Sequence, residues 1–267
     1  MHQLFRLQHV RLAACFFLYS AGVVQSAPAA DASTFTFDKA LQDTKLYFTA
    51  PLRWDEQDWL YFGGALVAIA SAHQIDQRVR DHFATGSKAL LNGGQDTNSL
   101  RDAAPTLALI AGTGVSAWFL RDSDGYQETW SLLEAGVLSS ATAQILGYAG
   151  GRERPDATTS PNQWRKGGDS FPSLHATAAW AVGTVFAESG NDEYRWLRRI
   201  LGYGVAAGSS YVRVGENVHW LSDTVAGAAL GIATARFVLN RREIDTRTTL
   251  QFQPSKDGWL VSYSRQF

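Results

Sequence analysis

Charged and polar residues stand together at three places where long apolar segments begin or end. The first is "GRERP", which places Arg152 and Arg154 after an apolar segment and before Pro155. One interpretation is a helix C-terminus, where glycine stops the helix and arginine faces the negative end of its dipole. The other is an oxyanion site, because a guanidinium fork matches the oxygens of phosphate. This stretch alone leaves both interpretations open.

The second place is "FPSLHATAAW", with Pro172, Ser173 and His175 at the start of an apolar segment. Proline and serine are typical of a helix start and its cap. The N–H groups of such a start can bind an anion, to which Ser173 adds a hydroxyl and His175 a titratable proton. An ordinary capped helix that carries a histidine would show the same pattern.

The third place is "YVRVGENVHWLSDTVAG", where His219 and Asp223 are four residues apart and share one face of a helix. A carboxylate on one imidazole nitrogen fixes the tautomer and leaves the other nitrogen as nucleophile or base. Arg213 could hold an anion against that nitrogen. A surface ion pair is the plainer interpretation, but the apolar neighbours make such charges costly to bury without a partner.

Taken in order, Arg-x-Arg-Pro, Pro-Ser-x-His and Arg-x5-His-x3-Asp resemble the motifs of the type 2 phosphatidic acid phosphatase superfamily. That superfamily also includes bacterial acid phosphatases and vanadium haloperoxidases. The resemblance covers about Gly147 to Gly227 directly. It implies a helical core and a phosphatase that needs no metal or other cofactor.

The resemblance implies three catalytic residues. His219 would attack phosphorus and become a phosphohistidine, and Asp223 would orient its ring. His175 would protonate the leaving oxygen and then activate water for the second step.

The resemblance also implies a set of phosphate-binding groups. Arg154 and Arg213 would hold the phosphoryl oxygens, together with Ser173 and the backbone N–H groups near Leu174. Arg152 is either a second donor to phosphate or a charge at a helix end.

Three positions depart from the family pattern. Gly147 stands where the motif has lysine, Leu174 where it has glycine, and Val212 where it has serine. The histidines and the aspartate are kept, so we expect activity, slower or with altered substrate choice. The candidates to replace the lysine's charge are Arg152, Arg165 and Lys166.

The segments that must position these residues are apolar, long and rich in alanine and leucine, which favours helices. We predict an all-α bundle of about six core helices over residues 30–242. The segments are Trp59–His73, Ala103–Leu120, Trp130–Tyr148, Ser173–Glu188, Ile200–Val214 and His219–Leu239. Alternating residues on both sides of Asp257-Gly258 predict a short C-terminal β-hairpin appendage over residues 243–267.

The first 29 residues are typical of a secretory signal peptide. Arg6 and Arg11 are followed by the apolar stretch Leu12–Val24, and cleavage is expected near Ala27 or Ala29. The only cysteine lies in this segment. We therefore expect an exported, periplasmic protein with no disulfide. The formal net charge of −1 argues against a nucleic-acid partner.

Membrane insertion is a separate question, because the apolar segments are near or below the roughly 17–25 residues of a spanning helix. They also carry charged residues that would insert poorly. We expect a soluble or membrane-surface bundle. The alternative is an embedded bundle whose first segment does not span.

The predicted function is hydrolysis of a phosphomonoester or diphosphate, with a lipid head group favoured over a small soluble phosphate. The alternatives are a non-catalytic phosphate-binding or envelope protein of the same fold and a haloperoxidase that holds vanadate. A metal site is the weaker interpretation of four residues on a polar stretch, which we take for a solvated helix face: His73, Asp76, Asp81 and His82.

Overall fold

The computed structural model describes residues 37–86, 99–190, 194–255 and 258–265. The predicted signal peptide therefore lies outside the described residues. The α-helices of these ranges are α1 (Phe37–Phe48), α2 (Glu56–His73), α3 (Asp76–Gly86), α4 (Ser99–Leu120), α5 (Ser123–Gly150), α6 (Leu174–Glu188), α7 (Arg195–Gly215) and α8 (Leu221–Arg247). A short 3-10 helix, Ala50–Arg53, follows α1.

The helical prediction is confirmed, since each of the six predicted apolar segments coincides with one of α2 and α4 to α8. Two segments begin slightly early, because Ser173 precedes α6 and His219 precedes α8. Two further helices form where no apolar segment is predicted. The first, α1, precedes the bundle, and α3 occupies part of the polar stretch between α2 and α4. The position of α3 matters for the site described below.

The chain after α8 forms two strands, β1 (Thr248–Ser255) and β2 (Gly258–Arg265). They pair antiparallel, with Thr248 opposite Arg265 and Ser255 opposite Gly258. Helix α8 continues past the predicted domain boundary at residue 242 as far as Arg247.

Helix α6 is the central helix of the bundle and packs against α5, α7 and α8. It is apolar on nearly every side, as expected of a helix with neighbours all round. Its Val182 and Val185 join Leu132 and Leu138 of α5 and Val238 of α8 in one buried cluster. This core holds the helix ends that carry the motifs.

Two close backbone approaches fix how α6 meets its neighbours. Gly183 of α6 faces Gly202 of α7, and a Cβ at either would collide with the other's carbonyl oxygen. Gly231 of α8 lies against α6, where a Cβ would stand 2.5 Å from the carbonyl oxygen of Thr177. Glycine is required at these crossings because the backbones touch there.

Four helix ends meet at one end of the bundle. Helices α5 and α7 end there, and α6 and α8 begin there. Gly151 ends α5 in the left-handed conformation, with φ of 54°, and donates its N–H to the Gly147 carbonyl. The starts of α6 and α8 are joined because the Ser173 N–H donates to the Asp223 carbonyl at 3.1 Å. All three motifs therefore lie at this end.

Helices α2 and α4 differ from the buried core helices because they expose large apolar side chains. One helix among the described residues, α4 over Leu100–Leu120, is long and apolar enough to cross a membrane, and few of its residues are buried. Large apolar side chains exposed on these two helices include Trp59, Leu60, Phe62, Val67, Leu107, Trp118 and Phe119. Apolar patches of this kind mark surfaces that contact lipid or protein.

Candidate active site

His219 lies just before α8 and is almost completely buried. Its Nδ1 is 2.7 Å from the backbone oxygen of Ser170. A carbonyl oxygen can only accept, so Nδ1 must carry a proton. In the neutral imidazole the lone pair is then on Nε2. The structure thus sets His219 in the tautomer that a nucleophile attacking through Nε2 needs.

Asp223 lies in the first turn of α8 and is fully buried. Its Oδ2 is 3.8 Å from Nδ1 of His219, which is too long for a hydrogen bond. That oxygen accepts from the Ser170 hydroxyl at 2.5 Å and from the Trp220 N–H at 2.9 Å. The direct bond expected between Asp223 and His219 is therefore corrected: Asp223 reaches the imidazole through Ser170.

Ser170 is a residue of the site that the sequence analysis missed. It is fully buried, and it contacts Asp223 with its hydroxyl and His219 with its carbonyl oxygen. The only signal was its place three residues before Ser173, in the approach to the second motif. Serine is too common in loops for that position to identify it.

Arg152 is fully buried, and all five of its N–H groups point at protein oxygens. Nε and Nη2 donate to the Pro161 carbonyl at 3.0 and 2.8 Å. Nη1 donates to Ser222 and Asp223, and Nη2 also donates to Asp76. No donor is left for phosphate, so the prediction of Arg152 as a phosphate ligand is corrected. It bridges two buried carboxylates instead.

Asp76 is the second of those carboxylates, and the structure corrects its interpretation as part of a solvated helix face. The residue is fully buried, with its Oδ2 at 2.8 Å from Arg152. His73 lies beside it, Nδ1 to Oδ2 at 3.0 Å, whereas Asp81 is exposed and pairs with Arg80. Within the described ranges no group of three or more His, Cys, Asp or Glu side chains is placed to hold a metal ion.

Arg154 follows the end of α5 and forms a two-point ion pair with Asp169. Its Nε is 2.7 Å from Oδ1 and its Nη2 is 2.9 Å from Oδ2. The bonds from Arg154 hold the pKa of Asp169 below its usual value against the opposing effect of burial, and the charge of His219 acts in the same direction as Arg154. The carboxylate of Asp169 thus occupies the guanidinium fork that is predicted to bind a phosphoryl group.

Arg213, in the last turn of α7, is also held by carboxylates. Its Nη1 donates to Asp102 of α4, and to Glu216 at 3.1 Å. Burial lowers the pKa of Arg213 and the charge of Arg154 acts in the same direction, while the two carboxylates oppose them. The two arginines are therefore close enough to repel each other. The Nε of Arg213 is buried and has no hydrogen-bond partner among the residues that the structure describes.

The start of α6 faces the same end of the bundle. Ser173 is fully buried and caps the helix, with its side chain accepting from the Ala176 N–H. Leu174 and His175 follow in the first turn and are partly exposed. The capped helix start predicted from the sequence is therefore present. That its N–H groups and the positive end of the helix dipole bind an anion stays a prediction.

Gly147, at the position of the motif's lysine, is buried in the last turns of α5. A Cβ placed there would lie 3.4 Å from the carbonyl oxygen of Phe171, two residues before Ser173. The missing side chain would thus begin next to the loop that leads into α6. The positive charge of the motif's lysine is therefore absent next to this loop.

Comparison with known proteins matches the region of the chain that carries all three motifs. Residues 128–246 match the model of the PAP2 superfamily. A lipid A 1-phosphatase of Porphyromonas gingivalis is 36% identical over 85 residues, which are 32% of this chain and 17% of that protein. The chain therefore spans less than a fifth of the curated relative it matches.

A solved structure also aligns with the chain. It is the first transmembrane PAP2 type phosphatidylglycerolphosphate phosphatase from Bacillus subtilis, at a TM-score of 0.48 and 19% sequence identity. The alignment covers 68% of this chain and 94% of that one.

Proposed function

We propose that this chain, whose residues 128–246 match the model of the PAP2 superfamily, is an exported, membrane-associated lipid phosphatase. It hydrolyses a phosphomonoester or diphosphate through a phosphohistidine on His219. The observation that carries the proposal is the hydrogen bond from Nδ1 of His219 to the Ser170 carbonyl. That bond leaves the lone pair on Nε2, at the end of the bundle that also carries Arg154, Arg213 and the start of α6.

The first step transfers the phosphoryl group to the protein. Nε2 of His219 attacks phosphorus, the bond from phosphorus to the leaving oxygen breaks, and His175 donates a proton to that oxygen. The imidazole becomes more positive as the bond forms. The Asp223 carboxylate stabilises that charge from 3.8 Å and through Ser170.

The second step releases phosphate. His175, now a base, takes a proton from water as the water attacks phosphorus, and the bond from phosphorus to Nε2 of His219 breaks. Arg154, Arg213 and the N–H groups at the start of α6 hold the phosphoryl oxygens through both steps. Donors fixed in place before the reaction are usually the largest single contribution to catalysis.

A lipid substrate is supported by two observations. The matched relative from Porphyromonas gingivalis is a lipid A 1-phosphatase. The chain itself exposes large apolar side chains on α2 and α4, and Asp102 at the start of α4 contacts Arg213. A helix that is long and apolar enough to cross a membrane is thus joined directly to a proposed phosphate-binding arginine.

The test compares dispersed phosphatidate with a short-chain, water-soluble phosphatidate that has the same head group. With EDTA present, we expect phosphate release from both and kcat/KM at least about tenfold higher for the long-chain lipid. Tenfold corresponds to about 1.4 kcal/mol, or about two buried methylene groups. Sedimentation with vesicles of neutral lipid measures membrane association in the same samples. Equal kcat/KM values and no sedimentation would contradict the lipid assignment.

A non-catalytic phosphate-binding protein is the second candidate, and Gly147 is the observation that favours it. The site lacks the motif's lysine, a carboxylate occupies the fork of Arg154, and Nη1 of Arg213 is paired with two further carboxylates. Binding of inorganic phosphate or vanadate without phosphate release from any of the offered lipids would establish this alternative.

The Arg154–Asp169 pair leads to a further prediction. Because Arg154 keeps the pKa of Asp169 low, the carboxylate stays charged throughout the neutral range and competes with substrate for the fork. Only acidification through that lowered pKa would relieve the competition. We expect Asp169→Asn to lower KM by about twofold to fivefold at neutral pH, the usual value of an exposed ion pair. Inhibition by inorganic phosphate should strengthen equally, whereas a raised KM would show that Asp169 orients Arg154.

A further inference from the structure

We infer that Asp76 is a positioning residue for the His219–Asp223 pair, an inference that rests on the function proposed above. Asp76 lies in the first turn of α3, a helix that carries none of the three motifs. Its side chain is fully buried. A fully buried aspartate is rare unless it is paired, and both of its oxygens are engaged with groups next to the proposed nucleophile.

Asp76 first supplies a cap for the helix that carries Asp223. Ser222 is the second residue of α8, and its N–H donates to Oδ1 of Asp76 at 2.8 Å. Its hydroxyl donates to Oδ2 at 2.6 Å. Trp220, which precedes the helix, has no side-chain oxygen to accept from first-turn N–H groups. A carboxylate from α3 does so instead, and its charge suits the positive end of the helix dipole.

Asp76 also holds the guanidinium that holds Asp223. Arg152 donates from Nη2 to Oδ2 of Asp76 at 2.8 Å and from Nη1 to Oδ1 of Asp223 at 2.5 Å. All three side chains are fully buried. Asp76 therefore determines both the start of α8 and the orientation of Arg152, and the position of Asp223 depends on the two together.

The chain of contacts continues from Asp223 to the imidazole. The other Asp223 oxygen accepts from the Ser170 hydroxyl, and the Ser170 carbonyl accepts from Nδ1 of His219. A displacement of Asp223 would thus move the carbonyl that orients the nucleophile. An error of about 1 Å at such a place can cost about a hundredfold in rate. The hydrogen bonds described for Asp76 go to Arg152, Ser222 and His73 and to none of the proposed phosphate-binding groups. Its loss should therefore act on kcat and leave KM nearly unchanged.

The test is Asp76→Asn, which keeps the shape of the side chain and an acceptor for the Ser222 N–H but removes the charge facing Arg152. Asp43→Asn is the matched control. Asp43 is also buried, and it pairs with Arg241 of α8 at 2.9 Å, away from the motifs. Each variant removes the negative charge of a buried carboxylate that pairs with an arginine. Dividing the maximal rate by the concentration of vanadate-binding sites gives kcat per site, which leaves out any protein that fails to fold.

For Asp76→Asn we expect kcat per site to fall by about tenfold to a hundredfold, with KM for dispersed phosphatidate within about twofold of wild type. Asp43→Asn should keep its kcat per site. Equal kcat per site in the two variants would overturn the inference, because Asp76 would then only stabilise the fold.

If Asp76→Asn does not fold, the variant Ser222→Ala tests the inference in its place. It removes the hydroxyl that contacts both Asp76 and Arg152. A fall in its kcat per site supports the inference, and an unchanged value overturns it. Failure of the proposed function would be seen separately, in the wild-type protein and before any variant is compared. The wild type would then bind vanadate but release no phosphate.

Discussion

The variant His219→Asn is expected to lose at least about ten thousandfold in kcat, because it removes the nucleophile of the proposed reaction. Asparagine can still donate an N–H to the Ser170 carbonyl, which Nδ1 of His219 contacts at 2.7 Å. The loss would therefore come from the missing lone pair at Nε2 and not from an empty space. Phosphate release from dispersed phosphatidate in EDTA measures it.

His82→Asn is the control for this loss. His82 is exposed on α3 beside Phe83, with ring centroids 5.3 Å apart, and belongs to no motif. We expect it to keep wild-type kcat. Turnover by His219→Asn close to that of His82→Asn would show that another group attacks phosphorus.

Arg154→Lys is expected to lower kcat/KM by about a hundredfold to a thousandfold, the usual effect of removing one fixed donor from a transition state. The two contacts of Arg154 with Asp169 show that its fork can hold two oxygens at once. Lysine keeps the charge but presents a point donor, so it cannot reproduce that geometry.

Arg199→Lys provides a control with the same contact geometry. Arg199 contacts both oxygens of Glu188 at 3.0 and 2.7 Å on the exposed end of α7. It should show wild-type kinetics. If Arg154→Lys also does so, Arg154 is a partner of Asp169 alone, and the phosphate is held elsewhere.

The helices and the grouping of the motifs could be predicted from the sequence for a physical reason. Long apolar segments rich in alanine must form helices that pack together, and each motif stands at the edge of such a segment. The short spacing of His219 and Asp223 likewise predicts their proximity, and their side chains come within 3.8 Å although His219 precedes α8.

The residues that the sequence did not reveal have partners far along the chain. Asp76 contacts Ser222, 146 residues away, and Ser170 contacts Asp223, 53 residues away. Asp76 lies among charged residues on a polar stretch, where solvent is the natural expectation. Only the packing of α3 beside the start of α8 buries it.

The role of Arg152 could not be predicted from the sequence either. Its place in Arg-x-Arg-Pro makes it look equivalent to Arg154, and the spacing of two residues cannot say which one faces the site. The surroundings of the two side chains differ in the folded protein: Arg152 points inward to the buried Asp76 and Asp223, whereas Arg154 points to the exposed Asp169.

The most direct measurement is to trap the covalent intermediate. Wild-type protein is mixed with lipid phosphate labelled with ³²P, quenched in base, where a phosphorus–nitrogen bond survives, and mapped by mass spectrometry. We predict an acid-labile phosphoryl group on His219 in the wild type and none in His219→Asn. Label on a different residue, or full turnover with no labelled protein at any time, would contradict the phosphohistidine route.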